Sequence, residues 1–123
     1  MKSTRLTQLT VEHLVARFAE IGSAQDDALL YDEIAKFNRL YREKTSVLEE
    51  LRSRDGDQRR ALLRLYDHPN IQVRLNAAKA TLAVAPEAAR RLLEDIATRK
   101  DVPQGGDAGM SLWNLDRGVF KPT

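Results

Sequence analysis

Two histidines, eighteen carboxylates and no cysteine are what this 123-residue chain offers for chemistry. His13 and His68 would titrate nearest neutrality, but they are far apart in sequence and neither has a His-Glu-x-x-His or comparable ligand spacing. Without cysteine there is no thiol nucleophile, thiolate metal site or disulfide framework. No serine or threonine sits in a nucleophile elbow, and the carboxylates fall at helix caps or beside basic residues. Gly105-Gly106-Asp107-Ala108-Gly109 could present backbone N–H groups to a phosphate ahead of a helix. It lacks the lysine and hydroxyl of a P-loop, so we read it as a hinge that lets Trp113 and Phe120 fold back, with Trp113 as anchor. The expectation is a noncatalytic protein with no catalytic residue, metal ligand or cofactor.

Recognition chemistry is better represented. Arg59, Arg60 and Arg64, together with Arg90, Arg91, Arg99 and Lys100, would span two helices and suit phosphate contacts. Against this, Asp57, Asp67, Glu87, Glu94 and Asp95 interrupt the run, and no aromatic residues are interleaved to stack bases. The formal charge is only +2, and its positive excess sits in residues 55–100. Nucleic-acid binding through Arg59, Arg60, Arg64, Arg90 and Arg91 is therefore the alternative reading. The preferred one is a protein-binding surface formed by Gln72, Asn76 and Lys79, a polar strip on one helix, joined by Asn38 and Arg42 beside Tyr31 and Thr45 on another.

These residues need helices to position them. Before residue 100 proline and glycine are sparse and apolar spacing follows three and four, while no stretch alternates with period two. A first helix is expected from Thr7 or Thr10 to Ile21, ended by Gly22, after which Ser23 restarts the chain. A long second helix, residues 24–54, carries the seam Leu30, Ile34, Phe37, Tyr41, Leu48 and Leu51, widened on one flank by Leu29, Leu40 and Val47. Asp57 caps a short third helix bearing Ala61, Leu62, Leu65 and Tyr66. Pro69 and Asn70 then open a fourth helix with Ile71, Leu75, Ala78 and Leu82 on one face and Val73, Ala77, Ala80 and Val84 nearly opposite, so that it is packed on two sides. Pro86 begins a fifth with Leu92, Leu93 and Ile96. Residues 101–109 form a flexible connection to a short final helix over 110–117, ended by Gly118.

Asp67-His68-Pro69-Asn70, followed by Val73-Arg74 and Ala77-Ala78, resembles a HEAT or armadillo-type helical repeat, strongest over residues 58–98. The whole chain resembles a small bacterial family known as a domain of unknown function, on the strength of His68-Pro69-Asn70, Gln72-Val73-Arg74, Asn76-Ala77-Ala78 and the tail from Gly109-Met110 to Pro122. The resemblance implies an all-α, compact, right-handed superhelix of five to six helices, and an arginine at position 74 that braces neighbouring turns. By analogy with larger repeat proteins it implies binding. One convincing repeat is too few for an extended solenoid, so a bundle-like fragment is expected.

Charged residues at 31% and apolar residues at 42% describe a soluble globular chain. Its apolar runs are far too short to cross a bilayer, and residues 1–13 lack a signal-peptide core. The expectations are a single helical domain over residues 1–123, a cytoplasmic location, no membrane association and an unidentified protein partner as adaptor, inhibitor or immunity-type protein. A homodimer through an exposed part of the second helix is a further expectation.

Overall fold

The computed structural model describes residues 5–123; residues 1–4 of the domain expected over 1–123 lie outside the described part. The described residues form five α-helices and two 3-10 segments, with no strand. They fall into two compact units that divide between Ala61 and Leu62.

In the first unit, α1 (Val11–Leu30) starts where Thr10 Oγ1 accepts a hydrogen bond from the His13 N–H at 3.1 Å. The expected stop at Gly22 does not occur. Ile21, Gly22, Gln25 and Ala28 are all buried, and this packing outweighs the roughly 1 kcal/mol that glycine costs inside a helix. Ser23 consequently lies mid-helix. The break comes instead at residues 31–33, within the helix expected over 24–54. There the Asp32 N–H donates to Leu29 O at 3.2 Å and the Glu33 N–H to Ala28 O at 2.8 Å, a Schellman pair closed by Asp32 in the left-handed region, with φ 57°. Aspartate tolerates that conformation better than most side chains.

A second helix, α2 (Ile34–Ser53), then returns antiparallel to α1, as so short a connection requires. Arg17 pairs with Glu43 at 2.7 Å. The Arg54 guanidinium donates to the carbonyls of Leu6 and Leu9 at 3.1 and 2.8 Å, tying the end of α2 to the 3-10 segment Leu6–Gln8. The core stripe of α2 is Leu40 and Val47 of the expected flank with Leu51 of the expected seam. Ile34 and Tyr41 of the expected seam are exposed. Within this unit one helix packs on α2, and one helix covers one stripe rather than a broad surface.

The expected third helix is the 3-10 segment Gln58–Leu65, in which the two units divide. Beyond it, α3 (Ile71–Ala80) begins where Asn70 Oδ1 accepts from the N–H groups of Gln72 and Val73 at 2.8 and 3.2 Å, the cap expected of it. Leu75, Ala78 and Leu82 form one core with Ala89, Leu93 and Ile96 of α4 (Pro86–Ala97) and Ala108 of α5 (Pro103–Asp116). Val73 and Ala77, on the other face of α3, are also fully buried. Thr81 ends α3 with its hydroxyl hydrogen-bonded to Ala77 O at 2.8 Å and to the Tyr66 hydroxyl at 2.6 Å.

The flexible connection expected over 101–109 is corrected: from Pro103 onward it is the first part of α5. Pro103 suits the first helical turn, and Gly105 lets the helix lie against the end of α4. A Cβ at Gly105 would stand 1.8 Å from the carbonyl oxygen of Arg99, so a residue type that reads as a loop signal is here a close-packing signal. Gly118, at φ 69°, closes α5 as expected, with its own N–H on Leu115 O and that of Val119 on Asn114 O. Trp113 is not the expected anchor. It is half-exposed with the Arg117 guanidinium 4.6 Å from its ring, and Leu112 and Leu115 pack on the core instead.

Candidate interaction surface

The polar residues expected to bind together belong to two different units. Asn38 and Arg42 stand exposed on α2 in the first unit, whereas Gln72, Asn76 and Lys79 belong to α3 in the second. Gln72 and Asn76 are not a surface at all, at 5% and 3% exposure. The Gln72 amide donates to Asn76 Oδ1 at 2.9 Å, and the Gln104 amide of α5 donates to Gln72 Oε1 at 2.9 Å. Buried amides persist when they are satisfied in this way, so the strip is a clamp between α3 and α5. At its edge, exposed Lys79 pairs with Asp107 at 2.9 Å, and the Ser111 hydroxyl donates to the same carboxylate. The extension of α5 back to Pro103 is what places Gln104 and Asp107 opposite α3.

The arginine set is divided as well. Arg59 is buried and forks onto Asp57 at 2.9 and 2.7 Å, which raises its own pKa and holds the Asp57 carboxyl below its ordinary range. Arg90 pairs with Asp116 at 2.9 Å and with Glu94 at 3.3 Å. Arg99 forks onto Asp101. Arg60, Arg64 and Arg91 are exposed. Arg59 and Arg90, both among the proposed phosphate contacts, thus already hold carboxylates. Arg90 also lines an apolar groove of about 380 Å³ with Leu82, Pro86, Leu115 and Pro122.

His68 serves the turn before α3: its Nδ1 accepts from the Asn70 N–H at 3.0 Å and its carbonyl accepts from Arg74 at 2.7 Å. His13 is exposed on the first turn of α1. Among the described residues no group of three His, Asp or Glu side chains converges as a metal site would require.

At the end of the α1–α2 hairpin the structure leaves bare Leu30 and Ile34, which the seam was expected to bury, together with Tyr31, which was expected beside the polar residues. Leu30, Tyr31 and Ile34 are 74%, 70% and 67% exposed. Ile34, Asn38, Tyr41 and Thr45 follow one another along α2 within roughly 60° of arc, and Arg42 borders them. Beside them Ala28, Leu29, Asp32, Glu33, Ile34 and Phe37 line a notch of about 90 Å³. Asp27, Asp32 and Glu33 stand exposed around this apolar end, with Lys36 4.0 Å from Glu33. The surface combines bare aliphatic and aromatic groups, a side-chain-sized recess and an acidic rim, a composition suited to docking rather than to bond-making.

No curated protein matches the chain. Among solved structures, the crystal structure of the protein RPA1889 from Rhodopseudomonas palustris CGA009 is similar at 55% sequence identity and a TM-score of 0.94, over 98% of this chain and all of that one. No helix among the described residues is long and apolar enough to cross a membrane. The family model described as a domain of unknown function, DUF2019, matches residues 12–116, and the chain belongs to that family.

Proposed function

We propose that this protein is a noncatalytic, cytoplasmic protein-interaction domain whose docking surface is the exposed end of the α1–α2 hairpin, with Asn38 and Arg42 at its polar border. The observation that carries the reading is the exposure of Leu30, Tyr31 and Ile34 together at one turn. Large apolar groups clustered on a surface lose contact with water when a partner covers them, at about 25 cal/mol per Å².

The HEAT-like character belongs to the same proposal. The α3–α4 pair follows a proline-containing turn, carries the small residues Ala77 and Ala78 at buried positions, and has Arg74 bracing that turn. This is one repeat's worth of structure, consistent with a scaffold for docking.

The test is quantitative capture from host lysate with the tagged chain and with Leu30→Asp/Ile34→Asp, both residues being exposed so that the fold is kept. The expected result is a protein retained by the parent and lost by the variant at unchanged melting temperature. Equal retention by both would overturn the assignment of this surface.

A further inference from the structure

A second exposed apolar segment of this chain has the opposite charge from the hairpin end. After α5, Val119 and Phe120 are exposed, and so are the flanking Arg117 and Lys121. Trp113 and Met110 stand half-exposed on α5 behind them. The nearest side-chain carboxylate along the chain, Asp116, is held by Arg90, so the side chains of this segment carry net positive charge. At the hairpin end, Asp27, Asp32 and Glu33 surround Leu30, Tyr31 and Ile34, with Lys36 the neighbouring cation. The notch of about 90 Å³ beside Ile34 is the size of one apolar side chain.

Resting on the protein-binding reading above, we propose that the occupant of the hairpin end is the 117–121 segment of a second copy of this chain. Val119 and Phe120 cover Leu30, Tyr31 and Ile34, the notch receives one of them, and Arg117 and Lys121 face the acidic rim. Complementary charge of this kind fixes orientation and rejects like-charged partners. The contact joins two different surfaces, so it is head-to-tail and repeats: each copy that offers its hairpin end still has its own 117–121 segment to give. The product is a ring or a growing array. Exposed charge pairs are screened by salt, so association weakens as ionic strength rises.

The test is sedimentation of the full chain from about 10 μM to about 1 mM, a range that reports weak contacts, together with two charge reversals. Asp27→Lys/Glu33→Lys makes both surfaces positive, and Arg117→Glu/Lys121→Glu makes both negative. The parent should rise in mass above 13.9 kDa with concentration, and less so in high salt. Each reversed variant alone should stay monomeric, and the equimolar mixture should associate again because each contact between unlike variants is complementary. Since all four positions are exposed, circular dichroism should be unchanged. A parent that is monomeric throughout, or reversed variants that associate as the parent does, would overturn self-association. If that happens while the Leu30 and Ile34 substitutions still abolish capture of a different protein, the docking surface stands and only its occupant is wrong.

Discussion

The side-chain amide of Gln104 donates to the side-chain carbonyl of Gln72 across 2.9 Å, inside the protein and between two helices that a 101–109 loop would have kept apart. Because Gln72 also donates to Asn76, its amide is engaged at both ends and holds the first turns of α3 and α5 together.

Removing both ends of this clamp should cost less than the sum of removing each alone. Gln104→Ala leaves Gln72 Oε1 buried without that donor, and an unmet buried polar group costs about 1–3 kcal/mol. Urea unfolding should show that loss for Gln104→Ala. Gln72→Leu combined with Gln104→Leu should fall short of the sum of the single effects; strict additivity would mean that the two amides do not act as a pair.

Gly105 and Gly106 are neighbours with opposite demands. An alanine at 105 meets the Arg99 carbonyl, whereas nothing lies within 4 Å of a Cβ at 106. Gly105→Ala should therefore lower the melting temperature sharply. Gly106→Ala should stabilise by about 0.5–1 kcal/mol through helix propensity. Calorimetry of both separates packing from propensity, and similar effects of the same sign would contradict this account of α5.

The left-handed turn that creates the hairpin end carries an aspartate where glycine is the easier residue. Asp32→Gly should stabilise by about 1 kcal/mol, since the Cβ penalty is removed at φ 57°. Asp32→Val should destabilise, because a β-branched side chain fits that region worst. Denaturant midpoints for the pair decide it.

Acid should weaken the structure around Asp57. Its carboxyl sits below the ordinary 3.8, first because Arg59 hydrogen-bonds to it. A carboxylate lowered on folding adds stability that is fully present above the unfolded value and lost as the pH falls through the lowered one. The parent should thus lose stability below about pH 3.8 more steeply than Asp57→Asn. Parallel pH profiles for the two proteins would rule out that contribution.

Much of the helical content was legible from residue types alone. Asn70 caps α3, Pro86 starts α4 and Gly118 ends α5 because capping and φ are local properties. The two-sided burial of α3 followed from its apolar residues at three- and four-residue spacing, since a helix with two apolar faces must hide both. Tertiary contact decided the rest. Gly22 is carried through α1 by burial, Gly105 is required by a carbonyl from another helix, and Gln72 and Asn76 are polar yet interior because Gln104 arrives to bond them. Exposed and buried amides look identical in a sequence, which is why the polar strip was read as surface. Conversely, Leu30 and Ile34 resemble core until the turn at Asp32 is known.

The choice between the two surfaces can be made directly with a photocrosslinking residue placed at Tyr31 in one version of the chain and at Lys79 in another, each produced in host cells. Discrete protein adducts from position 31, the second copy of this chain among them, with none from position 79, are the expected result. Adducts from position 79 with none from position 31 would contradict the hairpin end as the docking surface.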